Sequence, residues 1–275
     1  MAHNILEGKK GIIFGALDER SIAWKTAQRA VAEGAQIILS NAPIALRMGK
    51  INDLAKECNN APVIPADATS VADLEALTDK AMEHFGGPFD FILHSIGMSP
   101  NVRKGIEYTS TNYDNFLKAL DISALSLHKV LQVAMQKDAL KEWSSVVALT
   151  YIAAQRTFPG YNDMAEAKAL MESIARSFGY HYGFRKKVRV NTISQSPTIT
   201  TAGSGVSGFD AFFHYAEKMS PLGNASSEDC ANYCVSLFSD YTRMVTMQNL
   251  FHDGGFSFTG VSQGLIEDMQ KVFEA

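Results

Sequence analysis

Short runs of apolar residues alternate along this chain with longer stretches of helical apolar spacing. This order constrains the fold more than any other feature. The runs lie at 11–15, 36–40, 63–65, 89–94, 145–150, 188–193 and 247–251. Helical patterns fill 21–33, 43–58, 70–85, 113–136 and 161–182 between them. A strand that is apolar on both faces needs cover on both, which parallel sheets obtain from helices. Strand–helix alternation then requires right-handed crossovers. The expectation is an α/β fold: a single Rossmann-like, doubly wound parallel sheet of about seven strands with helices on both faces, one domain over 1–275. No repeat at solenoid periods and no low-complexity linker divides it.

Composition removes several other classes. Of 275 residues, 46% are apolar while Gly and Pro number 20 and 8, which fits neither a disordered tail nor a collagen-like fibre. Lys and Arg total 25 against 29 Asp and Glu, and a net charge of −4 gives no handle for nucleic acid or anionic lipid. The three cysteines, Cys58, Cys230 and Cys234, are an odd and sparse set that suits a reducing cytoplasm. Cys230 and Cys234 share a helix face, but the seven histidines are scattered without H-E-x-x-H spacing, so no metal is expected. The start, Met1-Ala2-His3-Asn4, lacks the basic and apolar regions of a signal peptide. No apolar run approaches the ~20 residues that span a bilayer. A cytoplasmic location without membrane contact is expected.

Ligands of doubly wound sheets sit beyond the carboxyl ends of the strands, where the strand order reverses. The loop after the first strand is therefore informative. It reads Gly15-Ala16-Leu17-Asp18-Glu19-Arg20-Ser21-Ile22, which is not G-x-G-x-x-G. Gly15 permits a tight turn and Ala16 a close backbone approach, while Ser21 and Ile22 begin the next helix, where free N–H groups favour pyrophosphate. An ordinary strand–helix turn capped by Ser21 is the alternative. At the end of strand two, Ser40-Asn41-Ala42 offers neither the acid that takes a ribose hydroxyl nor a base for a 2′-phosphate. Arg47 and Lys50 either reach a phosphate or form a solvated helix face. Asp67, followed by Ala68, accepts from an adenine amino group or organises the helix at 70. Gly97, after His94-Ser95-Ile96, either gives a dinucleotide room or serves a turn with positive φ.

A Tyr and a Lys follow the fifth strand. Thr150 ends it and Tyr151 follows, and ten residues on comes Tyr161-Asn-Asp-Met-Ala-Glu-Ala-Lys168. On a helix beginning near Tyr161, seven residues cover about 700°, so Tyr161 and Lys168 share a face. An ammonium near a phenol would lower the phenol's pKa and make it a better proton donor. The segment 194–208, rich in Ser, Thr and Gly, is the candidate for a mobile loop beside such a site, or is a plain surface loop.

Taken in order, these features resemble the short-chain dehydrogenase/reductase superfamily. Within it they are similar to the bacterial enoyl-[acyl carrier protein] reductases of fatty acid synthesis. Tyr-x6-Lys with Tyr151 upstream sets that branch apart from the general Tyr-x3-Lys pattern. Asp121-Ile122-Ser123, Arg189-Val190-Asn191, Pro197 with Thr200, and Asp253-Gly254-Gly255-Phe256 also match, so the resemblance runs from about residue 6 to 258. It implies hydride transfer from NADH to the β-carbon of a trans-2-enoyl thioester, with Tyr151, Tyr161 and Lys168 as catalytic residues. It implies cofactor contacts at Gly15, Ala16, Ser21, Ile22, Asp67, Ala68, Ser95, Ile96, Gly97, Thr150, Lys168, Pro197, Thr198 and Thr200. Met98, Tyr151, Phe158, Tyr161, Met164 and Phe209 would line the acyl pocket. A lid would span about 198–218, and the family's homotetramer is expected.

The chain departs from that pattern in three places. Ala42 replaces an adenine-packing glutamine, which leaves NADPH open beside NADH. Beside the lid, Ser207, Asp210 and Ala211 replace basic residues that meet acidic acyl carrier protein; Lys218, Arg47 or the run Arg185-Lys186-Lys187 substitute, or docking is weaker. A C-terminal amphipathic helix at about 262–273, with Leu265, Ile266, Met269, Val272 and Phe273 on one stripe, is expected to pack on a neighbouring subunit. Two rival readings are another short-chain reductase acting on a carbonyl or alcohol and a non-catalytic dinucleotide-binding protein. The first calls for lysine at 165, which is Ala165; the second for loss of Tyr161 or Lys168. A hydrolase would need a G-x-S-x-G elbow, which is absent.

Overall fold

The computed structural model describes residues 3–201, 203 and 208–274. The chain runs β1 (Lys10–Phe14), α1 (Ile22–Ala32), β2 (Gln36–Ser40), α2 (Pro43–Met48), α3 (Ile51–Glu57), α4 (Val71–Phe85) and β3 (Phe89–His94). It continues through α5 (Pro100–Arg103), α6 (Tyr113–Leu120), a π-helical turn (Asp121–Leu125), α7 (Ser126–Gln136), β4 (Leu140–Thr150) and α8 (Asp163–Lys186). Then follow β5 (Arg189–Gln195), α9 (Phe209–Met219), α10 (Ser227–Phe238), β6 (Asn249–His252) and α11 (Gln263–Glu274). The sheet order is β2-β1-β3-β4-β5-β6, and every pairing is parallel.

Successive strand residues feed opposite cores, as the period of two requires. Ile12, Phe14, Ile92, Val146 and Val190 pack with Leu77 of α4, Leu131 of α7 and Met171 of α8. Ile13, Leu39, Phe91, Val147 and Ile193 pack on the other face with Trp24 of α1 and Cys234 and Phe238 of α10. All three cysteines are buried thiols, and no group of three or more metal-ligating side chains occurs among the described residues.

Six strands replace the expected seven. Residue 63 makes a single parallel bridge to Leu39. Pro62 and Pro65 flank this stretch and lack the N–H donors that a ladder needs. The expected helix over 43–58 breaks into α2 and α3 at Gly49, whose backbone is extended (φ −103°, ψ −179°) and runs too close to the Leu17 carbonyl to admit a side chain. The expected helix over 113–136 is interrupted by the π-helical turn, a feature common at functional sites. The expected helix from 161 begins only at Asp163, because Gly160 and Asn162 both have positive φ (81° and 41°).

Two matched motifs turn out to be structural. Buried Arg189 donates to the carbonyls of Leu237, Ser239 and Thr242, closing the end of α10. Asp253 accepts from the Gly255 and Ser257 amides and so folds the turn that delivers Phe256 toward the tyrosines.

Candidate active site

The strand order reverses between β1 and β3, and their carboxyl ends touch. Gly15 has φ +95° and a Cβ there would collide with the Ser95 carbonyl oxygen, so only glycine fits the crevice floor. Gly97 has no positive φ; it is glycine for space. A Cβ there would lie 2.8 Å from Met164 Cε and 3.5 Å from Lys168 Nζ. Ser21 occupies the N-cap position of α1 but does not cap it. Its hydroxyl donates to the Asp18 carbonyl (2.8 Å) and accepts from the Leu17 amide, which leaves the first-turn N–H groups beyond Ile22 uncapped by that side chain. Ala16 is buried beneath this loop. The residues expected around a pyrophosphate thus combine a glycine-floored turn with a helix start that Ser21 leaves uncapped.

The flanking positions are equally definite. Asp67 Oδ1 accepts from the Thr69 amide and hydroxyl, while Ser70 caps α4, so Asp67 shapes its own turn ahead of buried Ala68. Asn41 donates to the Ala16 carbonyl. Lys50 pairs with Glu19 at 3.0 Å on the surface. Thr198 donates to the Ser196 carbonyl and accepts from Gln195, next to buried Pro197. The Thr200 hydroxyl accepts from the Gly203 amide. Residues 202 and 204–207 of the expected lid, Ser207 among them, lie outside the described residues.

The π-helical turn holds the loop that follows β3. Ser123 Oγ accepts from the Met98 amide (2.9 Å), and Ser126 Oγ lies 2.8 Å from His94 Nε2. Ser126 already donates to the Ile122 carbonyl, so His94 Nε2 carries the proton and Nδ1 is a buried acceptor without a partner. Burial and the nearby Lys168 charge push His94 down to about 3. Ser126 thus holds the His94 side chain at the end of β3, and Ser123 holds the backbone at Met98.

Lys168, on the inner face of α8, is 7% exposed and donates to the Leu149 carbonyl at 2.7 Å. Burial lowers it to about 8. The ring of Tyr161 packs on that of Tyr151 with centroids 5.2 Å apart. The expected lowering of the Tyr161 pKa by Lys168 does not occur: burial raises it, so Tyr161 is a neutral phenol at physiological pH. Tyr151 is raised further by burial, and its hydroxyl is buried without a hydrogen-bond partner.

An aromatic cluster encloses the tyrosines. Phe158 lies 5.4 Å from Tyr151, and Phe212 and Phe256 complete the group with Ile152, Ala216 and Met219. Phe209, expected here, instead pairs with Phe213 at 5.9 Å and lies against Gly203. Phe209 stands one turn before Phe212 at the start of α9, and it is Phe212 that packs on the cluster. Met164, expected to line the acyl pocket, lies against Gly97 and accepts from Ser123 through its sulfur. Phe212 was foreshadowed only by the aromatic density of 209–213, and Ser123 and Phe256 only by the motifs that contain them.

The comparisons with known proteins agree with this geometry. A family model described as enoyl-(acyl carrier protein) reductase matches residues 15–257. The enoyl-[acyl-carrier-protein] reductase [NADH] 2 of Rhizobium meliloti is 33% identical over 261 residues, 94% of this chain and 95% of that protein. The enzyme named FabI from Bacillus subtilis is 32% identical over 92% of this chain and 98% of its own. Among solved structures, a FabI–NADH complex from Alistipes finegoldii superposes with a TM-score of 0.93 at 66% identity, covering 94% of this chain and 92% of that one. Similarity that runs through the cradle, the tyrosines and α8 alike has one reading: the chain belongs to the enoyl-[acyl carrier protein] reductase family.

Proposed function

We propose that this protein reduces the trans-2 double bond of enoyl thioesters carried on acyl carrier protein, using NADH. The observation that carries this reading is the buried, unpartnered Tyr151 hydroxyl packed against Tyr161 in a crevice with a buried Lys168 and a glycine cradle. A buried polar atom without a partner costs stability and persists where a ligand completes it. Gly15, Ser21 and Ile22 would hold the pyrophosphate, and Ser95, Gly97, Thr198 and Lys168 the nicotinamide half. When bound, NADH supplies the hydride that adds to the β-carbon.

As the carbon–carbon double bond opens, its electron pair moves toward the thioester oxygen, and the α-carbon later takes a proton. The Tyr161 phenol, kept neutral by burial, donates a hydrogen bond to that oxygen as its charge develops. Tyr151 offers a second hydroxyl beside it. The Lys168 ammonium binds ribose hydroxyls and holds the polar side of the site in place. Phe158, Phe212 and Phe256 exclude water from the acyl chain. NADH is favoured over NADPH because Ser40-Asn41-Ala42 carries no base for a 2′-phosphate and Lys50 is engaged with Glu19, which leaves only Arg47 of the two cations weighed for that phosphate.

An absorbance assay at the nicotinamide band with crotonyl thioester, run with NADH and then with NADPH, tests this directly. Consumption of NADH is expected. No consumption with either, while a ketoacyl substrate is reduced, would overturn the reading in favour of the carbonyl reductase. Ala165 in place of a lysine speaks against that alternative.

The assembly we propose is a homotetramer of single-domain subunits in the cytoplasm. Among the described residues of α11, Leu265 packs on the aromatic cluster, while Ile266, Met269, Val272 and Phe273 are exposed, the stripe expected of a subunit contact. Tyr180 and Phe184 on α8 are exposed as well. Among the described residues no helix is long and apolar enough to cross a membrane. For carrier docking, Lys218 is committed to Asp268 and Lys186 to Asp138, which leaves Arg47, Arg185 and Lys187 as the more available cations.

A further inference from the structure

Glu172 stands one turn beyond Lys168 on α8 and is 4% exposed. Its carboxylate accepts three hydrogen bonds: from Thr150 Oγ1 at 3.0 Å, from Asn249 Nδ2 at 3.1 Å and from Gln155 Nε2 at 3.1 Å. The donors come from the end of β4, from β6 and from the turn after Tyr151. Thr150 and Gln155 bracket Tyr151, so one carboxylate ties both flanks of that tyrosine to the helix that carries Lys168. All three donors are neutral. A glutamine would satisfy them as well, provided the Gln155 amide turned over, without the cost of burying a charge. A carboxylate rather than an amide at this position is explained by a cation nearby, and Lys168 stands four residues away on the same face of α8.

We propose that Glu172 is a positioning residue for the reduction: it fixes Thr150 and Gln155 on either side of Tyr151, and its negative charge is the counter-ion of the Lys168 ammonium. The proposal rests on the reading of Lys168 as the residue that holds the ribose. The charged and titratable groups that act on the pair are few. Burial raises Glu172 above the ordinary carboxylate range; its bonds from Gln155 and Thr150 oppose that shift, as do the charges of Arg176, a further turn along α8, and of Lys168. His94 faces Lys168 from β3 and is kept neutral by burial. β4, β6 and the turn after Tyr151 contribute the neutral Thr150, Asn249 and Gln155. Burial disfavours the Lys168 ammonium, and Glu172 opposes that effect.

The test reads Lys168 directly, by carbon-13 NMR of lysine side chains in the cofactor-free protein across pH 6.5 to 10.5, with Lys168→Arg as the assignment control. Wild type should titrate near pH 8. Glu172→Gln should move that midpoint down by about half a pH unit or more, with the alkaline limb of kcat/KM following. Glu172→Asp, which keeps the charge but reaches the three donors less well, should retain most of the wild-type midpoint while kcat falls. An unmoved midpoint in Glu172→Gln, or Asp and Gln variants that titrate alike, would overturn the proposal. The titration needs no substrate, so failure of wild type to reduce an enoyl thioester would register separately, as failure of the reductase reading.

Discussion

Gly15 and Ser95 meet backbone to backbone: the strand order reverses between them, and a Cβ on Gly15 would overlap the Ser95 carbonyl oxygen. The contact joins the loop after β1 to the loop after β3 at the point where a dinucleotide would lie. Gly15→Ala combines a positive φ of 95° with a backbone clash. The expected cost is about 2–4 kcal/mol of stability. Because the displaced loop carries the α1 end, NADH affinity should fall with it. Denaturant unfolding and NADH fluorescence titration read the two effects. Wild-type stability together with wild-type affinity would show that the loops separate freely.

Tyr161 and Lys168 should fail in different ways. Tyr161→Phe removes one hydroxyl and leaves the ring packed on Tyr151, so kcat should drop about 100-fold or more while the NADH dissociation constant changes little. Lys168→Ala removes a buried cation assigned to the ribose, so both affinity and turnover should fall. Equal losses of affinity and turnover in Tyr161→Phe would point to a binding or folding role for that residue. An unchanged NADH dissociation constant in Lys168→Ala would remove the ribose assignment.

Lys168 also sets a pH dependence. Burial lowers its pKa from 10.5 to about 8, so activity that needs the ammonium should decline as pH rises through about 8. Stability of the cofactor-free protein moves the opposite way. Between about 8 and 10.5 the unfolded chain binds the proton and the folded chain does not, so stability rises with pH across that window. The full gain is about 3 kcal/mol. Lys168→Met should abolish both the rise and the ammonium-dependent limb. Urea unfolding at pH 7.5 and 10 measures the first, and a kcat/KM profile of wild type the second.

What the sequence disclosed follows from how local each signal is. The strands at β1 to β5 were legible because each is apolar on both faces and bounded by small or polar residues. Residue 63 looked like a strand, but the prolines on either side were the stronger signal. The spacing of Tyr161 and Lys168 reads as one helix face, but Tyr161 precedes α8, whose start depends on the backbone at Gly160 and Asn162, which apolar periodicity does not report. Phe212 was missed in favour of Phe209 because the choice depends on how α9 is rotated against the rest of the molecule. Glu172 was invisible because its partners stand 22, 17 and 77 residues away. Pairings of that range exist only once β4, α8 and β6 are adjacent.

His94 should govern part of the acid limit of the fold. Its ring is fully buried, with Nε2 donating to Ser126 and Nδ1 unpaired, and burial together with the Lys168 charge lowers its pKa from 6.5 to about 3. Below pH 6.5 the unfolded chain takes up a proton that the folded chain refuses, so stability falls with falling pH until about 3. Between pH 6.5 and 4.5 this one group accounts for about 2.5 kcal/mol. His94→Gln keeps a donor for Ser126 and removes the titration. Its stability difference between pH 7.5 and 4.5, measured by urea unfolding of the cofactor-free protein, should be smaller than that of wild type by about that amount. An equal difference in the two proteins would assign the acid loss to the carboxylates instead.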